Sequence, residues 1–452
     1  MKIKLYIYIS LLCFVFLMFA QNKGYSAKQE VILTLHGSNT IGARLIPDIS
    51  IEFLKKLGAD RVDKIVHIKN TEMDIVGHFP QHKTRVIRIK AHGSSTGFKG
   101  LMRQSCDIAM ASRKVKKKEI QKLSSIGNMT SNSCENVLGL DGIAIIINKN
   151  KYKEIKEMEL EDVAKIFSGE LNNWDHLGES YGRINIYARD DQSGTHDTFK
   201  NIVLQKRYKL SSEARRFDSH RDLSNAIAND INGIGYCGLS YVNPNKCLKI
   251  SNGGPAIFPS YLTIGVEDYP ISRRLHLYTP ASPKNKYTRQ FVAFALSREG
   301  QIFVEKNEFV SLTIKAVDYN VDYIKYQNHD VISRYLNVIK NAKRLSVNFR
   351  FEQNQYQLDT RSLKDIQRLV EYVSDNKNQI SKLILAGFAD SMGKYWTNYQ
   401  LSCNRAIAVS KHLCNTGVDI QEIFCVSEEM PVATNDNGAG RAKNRRVEVW
   451  VE

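Results

Sequence analysis

Three short turns rich in serine, threonine and glycine have the residue types of an anion-binding site. They span residues 37–42, 93–97 and 191–195, and each opens a helical pattern of apolar residues. The first turn of a helix offers free backbone N–H groups, and hydroxyl side chains add further donors. Arg189, two residues before the third turn, could add a charge-assisted contact. The alternative is that each turn only caps its helix, as Ser, Thr and Asn commonly do.

A carboxylate and a guanidinium in the C-terminal part of the chain could bind a zwitterion. Asp390 ends a segment with strand character, and Arg405 lies fifteen residues later in a helical pattern. The carboxylate would take an ammonium group, and the guanidinium would take a carboxylate. The alternative is a structural salt bridge between the two. Elsewhere we find no convincing nucleophile–base set or metal motif, so we expect no catalytic residue, metal or cofactor.

The elements around the three turns predict an α/β domain. Short apolar runs alternate with helical patterns along the chain; the runs include residues 31–35, 107–111, 142–147 and 184–188, and the helical patterns include 41–57 and 288–305. We place this domain at residues 28–318. About 290 residues exceed one comfortable core, so we expect two lobes.

A second, smaller α/β domain is predicted at residues 343–452, after a helical linker at 319–342. Its strands are expected at 345–351, 382–388 and 446–451, and its helices at 362–373 and 396–413. The arrangement predicts an α+β sandwich that would position Asp390 and Arg405.

The chain has 452 residues and is basic, with 64 Lys and Arg against 47 Asp and Glu. Such a charge favours anionic partners. Residues 1–27 have the basic start, apolar run and polar exit of a cleaved secretory signal peptide. Export argues against nucleic acid as a partner. An oxidising compartment also permits disulfides, and the candidate local pairs are Cys237–Cys247 and Cys414–Cys425.

The first domain resembles the PstS-like periplasmic phosphate-binding proteins of ABC transporters over about residues 31–315. The matching motifs include Gly-Ser-Asn-Thr-Ile-Gly at 37–42, Gly-Ser-Ser-Thr-Gly at 93–97 and Asp-Gln-Ser-Gly-Thr at 191–195. The resemblance implies the type 2 periplasmic binding fold, in which two lobes close on phosphate. It also implies that Asp191 orients Arg189, and that the ligand-contacting residues are Thr40, Ile41, Ser95, Arg189, Ser193, Gly194 and Thr195.

One residue departs from the pattern of that family. Arg113 stands where the family has an aspartate that accepts the proton of monohydrogen phosphate. An arginine cannot accept a proton. We therefore include Arg113 among the candidate ligand residues, as a cation that could favour a more highly charged or larger phosphorylated ligand. Phosphate remains the first expectation among oxyanions.

The second domain resembles the OmpA-like peptidoglycan-binding domain over about residues 344–452. The matching motifs include Gly-Phe-Ala-Asp-Ser-Met-Gly at 387–393 and Gly-Arg-Ala-Lys-Asn-Arg-Arg-Val-Glu at 440–448. The resemblance implies that Asp390 and Arg405 hold diaminopimelate of the peptidoglycan stem peptide. Asn398 and Arg445 are further candidates for that site.

Together these patterns predict a periplasmic, peptidoglycan-associated protein on the outer-membrane side of the cell envelope. It would capture phosphate or a related oxyanion without making or breaking a bond, so we do not expect an enzyme. An ABC permease is a candidate partner. The alternative is a structural or adhesive envelope protein whose first domain no longer serves phosphate transport.

Overall fold

The computed structural model describes residues 29–68, 71–150, 155–177, 182–191, 193–319 and 330–452. The predicted signal peptide therefore lies outside the described residues, as do Gln192 of the third turn and residues 320–329 of the predicted linker. Within the described ranges, every helix is too short or too polar to cross a membrane.

The strands and helices are numbered here in chain order. The strands are β1 (Gln29–Gly37), β2 (Arg61–Ile68), β3 (Glu72–Phe79), β4 (Lys83–Lys90), β5 (Ile108–Ala111), β6 (Glu135–Ile147), β7 (Glu157–Glu159), β8 (Asn185–Arg189), β9 (Arg215–Phe217), β10 (Gly233–Gly238), β11 (Lys246–Cys247), β12 (Lys249–Ser251), β13 (Ser272–Tyr278), β14 (Ala316–Val317), β15 (Lys343–Arg350), β16 (Leu383–Gly387), β17 (Glu422–Cys425) and β18 (Arg446–Val451). The α-helices are α1 (Asn39–Gly42), α2 (Leu45–Lys56), α3 (Ser94–Met102), α4 (Lys117–Leu123), α5 (Leu160–Ser168), α6 (Gly194–Phe199), α7 (His220–Ala228), α8 (Tyr261–Gly265), α9 (Lys286–Leu296), α10 (Arg298–Lys306), α11 (Asp330–Ile339), α12 (Thr360–Asp375), α13 (Tyr395–Cys414) and α14 (Gly438–Asn444). Single 3-10 turns lie at Ser124–Ile126, Trp174–Leu177 and Leu239–Tyr241, and a π-helical turn continues α6 over Lys200–Leu204.

A long mixed sheet runs through the first domain in the order β2-β3-β4-β1-β5-β13-β6-β10-β8-β9. The strand β6 pairs with β13 along its first part and with β10 along its second part. Separate apolar cores lie on the two parts of the sheet; one contains Leu33, Ile49 and Phe291, and the other contains Ile145 and Phe167. The predicted two-lobed α/β domain is therefore confirmed, with β6 passing from one lobe into the other.

Two predicted helices are each divided in the structure. The pattern over residues 41–57 becomes α1 and α2, and the pattern over 288–305 becomes α9 and α10. Ser297 ends α9 and caps α10, since its hydroxyl accepts the N–H of Gly300 at 3.3 Å. The apolar periodicity runs through both breaks because the two helices of each pair face the same core.

The second domain is built on a separate sheet in the order β14-β15-β18-β16-β17. Successive residues of a strand face opposite sides of a sheet. On one side Leu385 packs with residues of α12 and α13, and on the other side Ile384 packs with residues of α11. The predicted linker helix therefore forms at α11, where Tyr335 and Leu336 pack against this second sheet.

Buried ion pairs join the two domains. Glu267, just before β13, binds Arg274 at 2.9 Å and Arg361 of the second domain at 3.2 Å. Its neighbour Asp268 binds Arg350 of the second domain at 2.7 Å. Burial opposes the charge of Glu267, but Arg274 and Arg361 outweigh it and hold the pKa of that carboxyl well below its usual range. Each of these buried carboxylates is therefore paired with an arginine of the other domain, and these ion pairs hold the two domains together.

We expect the substitution Glu267→Gln to lower the apparent free energy of unfolding by about 3 kcal/mol, because it leaves two buried arginines without this carboxylate. The pKa of Glu267 is lowered on folding, so its contribution is present above its unfolded pKa and is lost on acidification. Urea unfolding at neutral pH measures the change. The control is Glu299→Gln, since Glu299 pairs with Lys56 on the surface and should contribute less than about 1 kcal/mol. Equal effects of the two substitutions would contradict a structural role for the buried cluster.

A disulfide joins Cys403 of α13 to Cys425 of β17. The candidate pairs Cys237–Cys247 and Cys414–Cys425 are therefore not formed. Cys237 and Cys247 lie on β10 and β11, which pair with the same part of β6 from its two sides, so β6 separates the two thiols. Cys414 is exposed at the end of α13, about three turns beyond Cys403.

Candidate functional site

A cavity of 370 Å³ lies between the two lobes, and we call it the inner cleft. Five of the predicted ligand residues line it: Thr40, Arg189, Ser193, Gly194 and Thr195. The turns that carry them follow β1 and β8, so the ends of strands in both lobes position the cleft. The structure thus brings together the first and third predicted turns.

Arg189 is the buried cation of the inner cleft, with 8% of its surface exposed. Its guanidinium donates to the backbone carbonyls of Phe217 at 3.2 Å and Asp218 at 2.7 Å. Among the described residues, no carboxylate comes within salt-bridge distance of it. Burial lowers the pKa of Arg189, although Asp190 partly compensates. A buried guanidinium without a close counter-charge favours an anionic ligand beside it.

Thr195 is oriented by His220, a residue that the sequence analysis did not select. The backbone N–H of Gly238 donates to Nδ1 of His220, which assigns the ring proton to Nε2. That Nε2–H donates to the hydroxyl of Thr195 at 3.2 Å. Burial, together with Arg189 and Arg44, lowers the pKa of His220 to about 3, so the ring is neutral near pH 7. The Thr195 hydroxyl is then left with its own proton to donate to an anion.

Arg273 forms hydrogen bonds with both lobes, at the first and third turns. Its Nη2 donates to the Thr40 hydroxyl at 2.8 Å and to the carbonyl of Gly194 at 3.1 Å, and its Nε donates to Asp141 at 3.3 Å. A Cβ on Gly194 would lie 2.7 Å from the Cα of Thr40, so only glycine permits this approach. The lobes are therefore in contact at this point.

Three predicted ligand residues do not line the inner cleft. The side chain of Ile41 is fully buried in the core of the first lobe, which leaves only its backbone for a ligand. Ser95 and Arg113 line a second cavity, and the Arg113 Nη2 donates to the Ser95 hydroxyl at 3.0 Å. Arg113 also binds both carboxylate oxygens of Glu119, at 2.9 and 2.8 Å. Its charge is thus already paired, so it is not the free positive clamp that we expected.

The expectation that Asp191 orients Arg189 is wrong. The carboxylate of Asp191 binds Arg216 at 2.7 Å and approaches His196 at 3.4 Å. The side chain is largely exposed and points away from the inner cleft toward these partners. Backbone carbonyls of the strand β9 segment hold Arg189 instead.

Helix dipoles contribute less to the cleft than the sequence suggested. The helix α1 is a single turn of four residues, whereas α6 and its π-helical continuation span residues 194–204. The macrodipole grows with aligned peptide units, so of these two helices only α6 adds appreciable positive charge at its N-terminus. Arg189, the hydroxyl of Thr195 and the first turn of α6 therefore supply most of the attraction for an anion.

In the second domain, Asp390 forms a buried salt bridge with Arg445. Its Oδ2 lies 2.7 Å from Nη1 of Arg445, and its Oδ1 accepts the N–H of Met392 at 3.1 Å. The Nε of Arg445 donates to the carbonyl of Phe351 at 2.9 Å. The structural partner of Asp390 is therefore Arg445 rather than Arg405.

Arg405 is 1% exposed, and its guanidinium lies over the ring of Phe351, 5.6 Å from the ring centroid. It donates to the backbone oxygens of Gln355 at 3.3 Å and Phe388 at 3.1 Å. No carboxylate of the described ranges lies within salt-bridge distance of it. Burial, reinforced by the nearby Arg445, lowers the pKa of Arg405 to about 10. This guanidinium has the capacity to bind a carboxylate from outside the chain.

Asn398 lies on the same helix, α13, and is completely buried. Its Nδ2 donates to Glu428, while its Oδ1 has no hydrogen-bond partner. The helix reaches this position because Gly387 lets it approach β16 closely. A Cβ at Gly387 would lie 2.1 Å from the carbonyl oxygen of Ser402. Of the four predicted residues, Asp390, Arg405 and Arg445 form one cluster, and Asn398 lies two turns before Arg405.

Comparison with known proteins identifies both domains. A model of the PBP superfamily domain matches residues 76–299, and a model of the OmpA family matches residues 350–445. The phosphate-binding protein PstS of Borreliella burgdorferi is 31% identical over 231 residues, which cover 49% of this chain and 78% of that protein. The chain belongs to the PstS-like family of periplasmic binding proteins.

Other relatives of this PstS-like protein agree with that assignment. Protein SphX of Synechococcus elongatus is 27% identical over 250 residues, which cover 52% of this chain and 72% of that protein. A possible phosphate binding protein from Planctomyces limnophilus shares the fold, with a TM-score of 0.50 and 22% identity over 63% of this chain and 93% of that one. The predicted type 2 periplasmic binding fold, followed by an OmpA domain with its own small sheet, is confirmed.

Proposed function

We propose that the inner cleft of this PstS-like protein binds phosphate or a related oxyanion. The observation that carries the proposal is Arg189, a buried guanidinium that faces the cleft. In the part of the chain that the structure describes, no carboxylate lies within salt-bridge distance of it. Thr195 adds an oriented hydroxyl, and Ser193 lines the same space. The named relatives that bind phosphate support this choice of ligand. Binding would make and break no bond, so we propose no enzymatic role.

We further propose that the OmpA domain tethers the protein non-covalently to peptidoglycan through Asp390 and Arg405. The supporting observation is the buried Arg405, which donates to two carbonyl oxygens and lies over the Phe351 ring. Among the described residues, it has no carboxylate within salt-bridge distance. A free carboxylate of the diaminopimelate in the stem peptide would supply the missing charge. Arg445 and Asn398 would line the same site. Export to the periplasm follows as part of this proposal, as does an ABC permease as a partner of the first domain.

We expect sulfate to compete with phosphate within about tenfold in affinity. Arg113 cannot accept a proton, so the position that would recognise protonated phosphate is lost. Competition calorimetry on the full-length chain at about pH 7 measures both affinities. A preference for phosphate of more than about 1000-fold would contradict this expectation. It would also point to a carboxylate that lines the inner cleft, such as Glu308, as the proton acceptor.

A structural or adhesive envelope protein is the second candidate function. It is favoured by the contact of Thr40 with Gly194 and by Arg273, which joins the lobes through the chain's own side chains. Retained binding to sacculi, without binding of phosphate, sulfate or phosphate esters, would support it. Binding of any of these anions at the inner cleft would favour the first proposal.

A further inference from the structure

A second, larger cavity lies between the first domain and the OmpA domain. Its volume is 1060 Å³, and we call it the interdomain cavity. One wall carries Ser95 of the second predicted turn, and the opposite wall carries Gln355 and Gln357, which follow β15. Sites for organic ligands typically have volumes of about 300–1,000 Å³, far more than a single oxyanion needs. The space therefore suits a ligand with an organic part.

The interdomain cavity meets the inner cleft at two residues. Asn39 and Ser193 line both spaces, so an anion at these residues has an open side toward the interdomain cavity. Inorganic phosphate needs no such opening, because protein donors can surround all four of its oxygens. In a phosphate monoester one oxygen carries the substituent, and that oxygen must point into free space. The connection between the cavities provides this space.

Charge also distinguishes the two walls of the interdomain cavity. Lys114 and Lys116 line it on the side of the first domain, and in the described part of the chain no carboxylate is within salt-bridge distance of Lys114. The carboxylates on the same side each lie within salt-bridge distance of an arginine; they are Asp191, Asp197 and Glu267. The opposite wall carries equal numbers of carboxylates and cations, namely Glu352, Asp359, Arg350 and Lys443. A phosphoryl group is therefore attracted to the two lysines of the first domain and has no net attraction to the opposite wall.

Most side chains on the wall of the OmpA domain are polar, and Gln355 and Gln357 are exposed. Gln355 and Gln357 offer amide groups that can both donate and accept hydrogen bonds. The carbonyl of Gln355 accepts from the buried Arg405, which fixes this segment against the domain. Such a wall suits a substituent with hydroxyl or amide groups rather than an acyl chain.

We propose that this protein binds a phosphate monoester with a hydroxylated substituent. The phosphoryl group lies near Asn39 and Ser193, and the substituent fills the interdomain cavity toward Gln355 and Gln357. The proposal rests on the anion site proposed above and deepens it, because it names the class of ligand. It also gives the second domain a part in ligand recognition, since one wall of the site belongs to it.

Calorimetry on the full-length chain with inorganic phosphate, glucose 6-phosphate and glucose tests the proposal. We expect glucose 6-phosphate to bind at least as tightly as phosphate, and glucose not to bind. The variant Gln357→Trp would fill the cavity and should weaken glucose 6-phosphate binding at least about tenfold, with phosphate binding unchanged. The matched control is Tyr356→Trp, because Tyr356 is 57% exposed and does not line the cavity.

Two results would overturn this inference and leave the oxyanion site standing. One is that phosphate binds tightly while glucose 6-phosphate binds at least about 100-fold more weakly than phosphate. The other is tight binding of glucose 6-phosphate that Gln357→Trp does not weaken, which would place the substituent elsewhere. If neither inorganic phosphate nor glucose 6-phosphate binds, both the proposed oxyanion site and this inference are overturned.

Discussion

The substitution Arg189→Met is expected to weaken phosphate binding by at least about 100-fold. A charge-assisted hydrogen bond contributes about 1.5–3 kcal/mol, and a guanidinium that faces an oxyanion can form two of them. Methionine keeps much of the buried volume but provides neither donors nor charge. Calorimetry with phosphate on the full-length variant measures the loss directly.

Arg216→Met is the matched control for this experiment. It removes the same charge from a neighbouring strand, but Arg216 binds Asp191 and does not line the inner cleft. We expect its phosphate affinity to stay within about threefold of that of the unmodified chain. Thermal unfolding of both variants shows whether either one is misfolded. If a folded Arg189→Met protein binds phosphate as well as the control does, the anion site is not the inner cleft.

Local patterns in the sequence predict much of the fold, but they do not reveal the strand at the edge of the large sheet. The buried strands β5 and β8 and the helices α12 and α13 carry continuous or periodic apolar residues that can be recognised along the chain. The edge strand β2 is exposed at most positions, and its side-chain contacts with β3 are polar, such as Asp63 with His78 at 2.8 Å. Its apolar residues Ile65, Val66 and Ile68 are exposed, so β2 has no buried apolar face that a sequence pattern could reveal.

The contacts in the candidate sites also divide into those that have a local sequence signal and those that do not. Arg189 could be found because it lies beside a turn with anion-binding residue types. Arg273 could not, because its contact with Thr40 joins residues that are 233 positions apart. The pairing of Arg113 had a local signal that was overlooked: Glu119 lies three residues after Lys116 and accepts its backbone N–H, as in a capping box.

The alternative interpretation, a salt bridge between Asp390 and Arg405, named the wrong arginine for a related reason. Spacing places an arginine of α13 opposite the end of β16, but it does not rank several arginines against one another. Packing decides this question, since Arg445 ends the segment that leads into β18, the strand beside β16. The consequence is that Asp390 and Arg405 have different energetic roles, and mutation can separate them.

The substitution Arg405→Met is expected to reduce binding to isolated sacculi at least about tenfold, as measured by the amount of protein pulled down. It should change the free energy of unfolding by less than about 1 kcal/mol, because relief of a buried charge without a carboxylate partner offsets the loss of its two hydrogen bonds to carbonyls. Binding and stability should therefore respond differently. If Arg405 were purely structural, its substitution would instead lower the free energy of unfolding and leave sacculus binding by the folded protein unchanged.

Arg446→Met is the matched control, because Arg446 is buried to a similar extent but binds Glu448 at 2.7 Å. Removal of one partner of such a buried pair typically costs about 3–5 kcal/mol. Asp390→Asn should resemble this control in stability, since it leaves Arg445 without its carboxylate, and it should also lose sacculus binding. Urea unfolding and pull-down on all three variants therefore separate the roles. A destabilised Arg405→Met protein that still binds sacculi would show that Arg405 serves the fold and that the stem peptide binds elsewhere.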